Sequence, residues 1–189
     1  MELIFLRHAE TDWNRERRYQ GRTDTDLSEA GKLQPAHWIK YLPSSPSFVW
    51  SSPLARARQT AEALYPGREI LIHPGLAEMN LGSWEGKTAE EISATLDDRD
   101  WRGLDFADHG GESLRAVTAR IAIWLNTLPK GDLAVVVSHK MAITAAYCLA
   151  TGWEASEKPP ERLRFPRAHR FSWDGQALKI VALNESLGE

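Results

Sequence analysis

Two histidines, His8 and His139, each stand close behind a short, uninterrupted run of apolar residues. Arg7 directly precedes the first of them, and Arg56 follows a third apolar run by a few residues. Such runs are typical of strands that are buried on both faces of a parallel sheet. Because the carboxyl ends of parallel strands meet at one edge of a sheet, we expect these four side chains to lie close together.

This combination of residue types indicates chemistry on phosphate. The planar fork of an arginine matches phosphate oxygens better than a lysine can. A neutral imidazole nitrogen can attack phosphorus, and a second imidazole can donate a hydrogen bond to a phosphate oxygen. Glu78 lies among apolar residues, a setting that favours the protonated form of a carboxyl, so it is the candidate acid for the leaving group.

The elements that must position these groups follow from the hydrophobic pattern. The apolar runs predict strands at residues 3–6, 48–50 and 133–137. Apolar residues recur at helical spacing over residues 114–128 and 141–151, which predicts a helix on each side of the third strand. Strands that alternate with helices predict a largely parallel sheet.

Two local signals refine this expectation. Ser52 and Pro53 have the residue types of a helix N-cap and a first helical position, so the free N–H groups of that helix would add to the anion site. Asp174 and Gly175 separate two runs of alternating character and predict a two-residue hairpin. Together the patterns predict an α/β fold, a three-layer α/β/α sandwich with a mostly parallel central sheet and an antiparallel edge.

Composition bounds the class of protein. A chain of 189 residues, 42% hydrophobic and 26% charged, predicts one globular domain over residues 1–189. A formal charge of −3 argues against nucleic acid as a partner. No apolar run approaches the roughly 18 residues of a membrane span, and Glu2 stands where a signal peptide carries basic residues, so we expect a cytoplasmic protein that does not bind membranes. Cys148, the only cysteine, excludes an intramolecular disulfide.

An ordered set of motifs resembles the histidine phosphatase superfamily, whose members have the phosphoglycerate mutase-like fold. The Arg-His pair alone would be a weak signal, whereas the whole set in family order is specific. The resembling segments are 6–14 (LRHAETDWN), 20–24 (QGRTD), 27–31 (LSEAG), 51–61 (SSPLARARQTA), the block around Glu78, 110–113 (GGES) and 137–139 (VSH).

The resemblance implies specific roles. His8 would become a phosphohistidine, while Arg7, Arg56 and His139 hold the phosphoryl group. Glu78 matches the family's proton donor, which then activates the water that cleaves the phosphoenzyme.

Further residues carry implied binding roles. Asn14 matches an amide that contacts phosphate, and Gln20 and Gly21 match a segment near the leaving group. The family needs no metal ion, and the sequence has no His-Glu-x-x-His motif or paired cysteines, so we expect neither a metal nor another cofactor.

The chain departs from the family pattern at two positions. Ala9 replaces the usual glycine after the first histidine, and the added methyl group is expected to be tolerated. Lys140 replaces the glycine that commonly follows the second histidine. Its ammonium either reaches over the site and favours substrates with a second anionic or polar group, or extends into solvent.

The resemblance also suggests a branch of the family. The chain lacks the larger insertion that glycolytic mutases carry after the Glu78 block, and residues 82–86 (GSWEG) are similar to the α-ribazole phosphatase group. We therefore expect a phosphomonoesterase, monomeric or homodimeric, whose partner is a small phosphomonoester such as α-ribazole 5′-phosphate. The alternatives are a broad-specificity phosphatase, a phosphoglycerate mutase, or a catalytically weakened phospho-ligand binding or regulatory protein marked by Lys140.

Other polar residues are expected to have no role in the chemistry. Arg58 lies on a different helix face from Arg56 and is predicted to be a surface charge. Three glutamates, Glu85, Glu90 and Glu91, are predicted to be solvated. His109 precedes a Gly-Gly pair and is a weaker candidate for the wall of the site.

Overall fold

The computed structural model of the protein describes residues 1–95 and 103–188. Its strands form one six-stranded sheet in the order β3-β2-β4-β1-β5-β6. The strands are β1 (Glu2–Arg7), β2 (Phe48–Ser51), β3 (Leu71–Ile72), β4 (Leu133–Ser138), β5 (Ala168–Trp173) and β6 (Leu178–Glu185). Strands β1 to β4 run parallel, whereas β5 pairs antiparallel with β1, and β6 pairs antiparallel with β5. The predicted parallel sheet with an antiparallel edge is confirmed.

Helices cover both faces of the sheet. In the described part of the chain they are α1 (Asp12–Arg15), α2 (Glu29–Trp38), α3 (Ala55–Leu64), α4 (Ala89–Ser93), α5 (Leu114–Leu125) and α6 (Lys140–Thr151), with 3₁₀ turns at Ile39–Tyr41, Pro74–Leu76 and Gly82–Trp84. None of these helices is long and apolar enough to cross a bilayer.

The alternation of side chains along β1 divides the core into two layers. Leu3 and Phe5 pack into a cluster with residues of α5 and α6, and Ile4 and Leu6 pack into a second cluster with residues of α2 and α3. A strand that is buried on both faces must be apolar at every position, which explains the uninterrupted run. The three predicted layers are therefore present.

The start of α3 differs from the prediction. The helix begins at Ala55, and the hydroxyl group of Ser52 is instead 2.7 Å from the Nε2 atom of His139. The N–H of Ala55 donates to a carboxylate oxygen of Asp24 at 2.7 Å. That N–H group is thus taken by a side chain of the protein, and the α3 terminus does not offer it to a bound anion.

The hairpin between β5 and β6 also differs. Trp173 pairs with Leu178, so four residues rather than two connect the strands. The Asp174 carboxylate accepts the N–H groups of Gln176 and Ala177 at 3.0 and 2.8 Å. This local turn, which an aspartate forms readily, is the reason for the longer connection.

Candidate active site

The carboxyl ends of three parallel strands meet, as the sequence predicts. The N–H of His8 donates to the carbonyl of Ser138 at 2.9 Å, and the N–H of Ser52 donates to the carbonyl of Val137 at 3.0 Å. The ring centroids of His8 and His139 are 5.1 Å apart. The ladder hydrogen bonds of β1, β2 and β4 therefore fix the distance between the two imidazoles.

His8 is oriented for attack by its own backbone. Its Nδ1 atom lies 2.7 Å from the carbonyl oxygen of Ala9, and because a carbonyl only accepts, Nδ1 carries the hydrogen. The lone pair is then on Nε2. Burial, followed by the charges of Arg7 and Arg56, holds the pKa of His8 well below its usual 6.5. The ring is consequently neutral, as a nucleophile must be.

His139 is also neutral, and its hydrogen bond to Ser52 determines which ring nitrogen carries the hydrogen. The hydroxyl of Ser52 accepts the N–H of Leu54 at 3.2 Å, and the Nε2 atom of His139, at 2.7 Å, is the acceptor that the described residues give its own hydrogen, so we assign the hydrogen of this pair to the hydroxyl. Burial, followed by the charge of Arg56, keeps the pKa of His139 well below 6.5. In a neutral ring that accepts at Nε2, the hydrogen is on Nδ1, which makes this atom a donor.

Two buried guanidiniums complete the set. Arg56 is 0% exposed, and its Nη1 and Nη2 atoms donate to the carbonyls of Thr23 and Gly21, each at 2.8 Å. Burial lowers its pKa to about 10, so it is still charged at neutral pH. The guanidinium of Arg7 lies 5.8 Å from the ring centroid of Phe165, and burial lowers its pKa as well.

Three of these side chains have a donor that the protein does not satisfy. The Nε atoms of Arg7 and Arg56 and the Nδ1 atom of His139 are buried and have no partner among the described residues. Buried donors usually have a partner, and some others in the described chain, such as Nε1 of Trp50 and of Trp124, also have none, so a ligand is indicated by the fact that three such donors share one site. A tetrahedral phosphoryl group would offer several acceptor oxygens to such a site.

Glu78 is fixed on the wall of the same site. Its side chain is 8% exposed, and its Oε1 atom accepts the N–H groups of Met79 and Met141 at 2.8 and 3.1 Å. Met141 lies in the first turn of α6, directly after the strand end that carries His139. The carboxyl group is therefore held by backbone on two sides rather than free to rotate.

An ion pair that we did not predict holds the backbone of the Glu78 segment. Arg120 donates to the carbonyls of Gly75 and Glu78 at 2.6 and 3.1 Å, and to Glu112 at 3.0 Å. Glu112 also accepts the N–H of Asn80 at 2.8 Å. Glu112 lies in the quoted GGES segment, but its partner Arg120 has no sequence signal besides a position on α5.

A cavity of about 600 Å³ opens at this site. His139 does not line it and lies behind the other residues at 0% exposure. The remaining predicted site residues all line it, namely Arg7, His8, Asn14, Gln20, Gly21, Arg56, Glu78 and Lys140.

The predicted binding residues have structural partners of their own. The Oδ1 atom of Asn14 accepts the N–H of Thr11 at 3.1 Å in a reciprocal cap of α1. The Oε1 atom of Gln20 accepts the hydroxyl of Thr25 at 2.7 Å. Gly21 has a positive φ of 53°, a conformation that side chains disfavour. Asn14 and Gln20 are thus positioned at the cavity through contacts with nearby residues of the chain.

Lys140 is the first residue of α6, and its side chain lines the cavity while remaining accessible to water. It forms no salt bridge within the described chain. Partial burial of the side chain, followed by the charge of Arg7, lowers the pKa of Lys140. Its ammonium group is therefore available to a ligand.

Four aromatic rings form a further side of the cavity, which we call the aromatic wall. Trp84 lies at its centre, with ring centroids 4.9 Å from His109, 5.5 Å from Phe106 and 6.3 Å from Tyr19. The weaker expectation that His109 belongs to the site is confirmed in placement. The wall offers an aromatic, largely apolar surface to whatever is attached to the phosphate.

The prediction that Glu85 is solvated is wrong. One carboxylate oxygen accepts the N–H groups of Arg22 and Leu81 at 2.8 and 3.1 Å, and the other accepts the N–H and hydroxyl groups of Thr23 at 2.9 and 2.6 Å. Burial raises its pKa, but these hydrogen bonds outweigh burial and hold the pKa below its usual value. Glutamates are usually solvated, and only the tertiary structure shows that these donors converge.

The other expectations about surface charges are confirmed. Arg58, Glu90 and Glu91 are exposed.

Within the described residues, no group of three or more His, Cys, Asp or Glu side chains is placed to hold a metal ion.

Comparison with known families is consistent with this geometry. Residues 3–186 match the family described as the histidine phosphatase superfamily (branch 1). The match covers the strands, except the first residue of β1, and all the groups at the site.

Individual relatives extend over most of the chain. It is 34% identical over 169 residues to phosphoserine phosphatase 1 of Hydrogenobacter thermophilus, covering 83% of this chain and 79% of the relative. It is 31% identical to a probable phosphoglycerate mutase GpmB of Escherichia coli O1:K1, with coverages of 87% and 81%. Among solved structures, a mycobacterial glucosyl-3-phosphoglycerate phosphatase in complex with VO3 superposes with a TM-score of 0.84 at 28% identity, covering 98% and 99%.

Replacing Arg56 with alanine should lower kcat/KM for p-nitrophenyl phosphate by about 10²- to 10³-fold, because a buried charge that stabilises the transition state is lost. Arg58→Ala is the matched control on the same helix, and as an exposed substitution it should stay within about threefold of the wild type. Steady-state kinetics of both variants test this. Comparable losses in the two variants would contradict the assignment of Arg56 to the site.

The imidazole of His8 should remain neutral in mildly acidic solution. Because burial and two guanidiniums disfavour its cation, it gains a proton only at a pH well below 6.5. NMR of the ring-labelled protein, with His8→Ala to identify the resonance, measures the midpoint. A midpoint at or above 6.5 would show that the ring is not surrounded by these charges.

Proposed function

The chain belongs to the histidine phosphatase superfamily, and from that premise we propose that it is a phosphomonoesterase that acts on a small phosphorylated metabolite through a phosphohistidine on His8. One observation carries the proposal. A neutral, buried His8 with a free Nε2 shares its site with three side chains, Arg7, Arg56 and His139, that each keep a buried donor without a partner among the described residues. A purely structural histidine at a strand end would not need such surroundings.

The first step forms the phosphoenzyme. The lone pair on Nε2 of His8 attacks phosphorus, and the bond from phosphorus to the ester oxygen breaks. Glu78, protonated at this stage, gives its proton to the departing oxygen, so the product leaves as an alcohol. Arg7, Arg56 and the Nδ1–H of His139 stabilise the charge that develops on the equatorial oxygens.

The second step regenerates the enzyme. The Glu78 carboxylate takes a proton from water as the water oxygen attacks phosphorus, and the phosphorus–nitrogen bond breaks. Inorganic phosphate is released, His8 recovers its lone pair, and Glu78 is again protonated. No group beyond these side chains and water is needed for the balance.

The aromatic wall supports a finer assignment of the leaving group. Carboxylate-bearing esters such as phosphoserine or 3-phosphoglycerate have little apolar surface for these rings, whereas a substrate with a planar apolar ring can stack on Trp84. We propose α-ribazole 5′-phosphate, whose base is a benzimidazole, as the substrate of this kind. Lys140 supports the competing class, because its ammonium could pair with a carboxylate.

A panel of three esters separates these classes. The wild type should release inorganic phosphate, and His8→Ala should not. Trp84→Ala should lower kcat/KM for α-ribazole 5′-phosphate by about tenfold or more, since stacking of a base on an aromatic ring contributes roughly 1–3 kcal/mol. The same variant should change the value for phosphoserine by less than threefold.

Two results would contradict the proposal. Absence of phosphate release from every ester would favour a binding protein over an enzyme. A preference for 3-phosphoglycerate that disappears in Lys140→Met, with no effect of Trp84→Ala, would assign the cavity to carboxylate-bearing substrates.

A further inference from the structure

Backbone groups hold the guanidinium of Arg56 in place. Its two terminal nitrogens donate to the carbonyls of Gly21 and Thr23, each at 2.8 Å. Both carbonyls belong to segment 20–23, which lies outside the helices and strands of the described chain. Because no regular element fixes this segment, its shape depends on contacts from elsewhere.

Three of those contacts come from a single side chain, that of Glu85. Glu85 accepts the N–H groups of Arg22 and Thr23 and the hydroxyl group of Thr23, at 2.8, 2.9 and 2.6 Å. A further bond, from the N–H of Leu81 at 3.1 Å, ties the carboxylate to its own turn. The N–H groups of Arg22 and Thr23 thus point to Glu85, while the carbonyls of Gly21 and Thr23 point to Arg56.

Gly21 permits the close approach. It has a positive φ of 53°, and a Cβ atom at this position would overlap the carboxylate of Glu85. The carboxylate of Glu85 can therefore occupy this position only because residue 21 has no side chain. A structural carboxylate in contact with solvent would place no such demand on its neighbour.

We propose that Glu85 is a positioning residue that acts through segment 20–23 to aim the guanidinium of Arg56 at the phosphoryl group. The inference rests on the proposed function. Glu85 does not line the cavity, so it acts on the site by holding the segment and by its charge, which favours the Arg56 cation, and not by contact with substrate.

The pattern of donors requires a carboxylate. Each oxygen of Glu85 receives two donors, so all four hydrogen bonds end on acceptors. Glutamine has only one acceptor oxygen, and its NH₂ group would face two backbone N–H groups in one orientation and the N–H of Thr23 in the other. Glu85→Gln therefore disrupts these hydrogen bonds with almost no change in size.

The test is a double-mutant cycle between Glu85→Gln and Arg56→Ala. Glu85→Gln alone should lower kcat/KM by about tenfold or more and weaken the binding of inorganic phosphate by a similar factor. In the Arg56→Ala background the same change should cost less than about twofold, since the group it positions is gone. Glu91→Gln is the matched control: this exposed glutamate also accepts a backbone N–H, at 2.7 Å, and its replacement should leave kcat/KM within about twofold.

Equal losses in the two backgrounds, or no loss in Glu85→Gln, would overturn the inference. Calorimetric binding of inorganic phosphate measures the same coupling between the two substitutions and needs no turnover. If the wild type hydrolysed no ester, that result would therefore contradict only the proposed function and not this inference. If Glu85→Gln melts far below the wild type, Thr23→Val removes only the hydroxyl donor. It should then show a loss of about threefold that likewise disappears in the Arg56→Ala background, and an additive loss would overturn the inference.

Discussion

Burial of positive charge beside an uncharged imidazole is the constraint on which the site depends. Arg7 and Arg56 are desolvated next to His8, and burial together with their charges lowers the pKa of His8, so the ring stays neutral and keeps its lone pair. Desolvated cations are costly unless an anion compensates them. The same arrangement therefore prepares the nucleophile and creates a demand for a phosphoryl group.

The rest of the structure holds these cations where they would not remain on their own. The parallel ladder of β1 and β4 places His8 beside Ser138, one residue before His139. Arg56 is held by a loop that Glu85 fastens, and the loop is tied through the Arg22 side chain to Glu112 at 3.1 Å. Because Glu112 pairs with Arg120, one hydrogen-bonded network connects the phosphate side of the site with the backbone of Glu78.

The strands that position the site could be predicted from the sequence, because each leaves a local hydrophobic pattern. Uninterrupted apolar runs predicted β1, β2 and β4, and the meeting of their carboxyl ends predicted the proximity of His8 and His139. Hydroxyls and carboxylates that bond across distant segments could not be predicted in this way. Ser52 has the local pattern of an N-cap, yet it bonds His139, and Glu85 resembles an ordinary surface acid until residues 20–23 fold against it. A short strand such as β3, with two residues, is also too brief to leave a periodic signal.

The central claim, that the reaction passes through a phosphohistidine on His8, is tested most directly by rapid quenching. Enzyme mixed with ³²P-labelled substrate is stopped in base within milliseconds, and the bound label is mapped by peptide digestion. We predict a label that is stable in base, lost in acid, located on the peptide containing His8, and absent from His8→Ala. Turnover by the wild type with no such label at any time point, or an undiminished label in His8→Ala, would contradict the account.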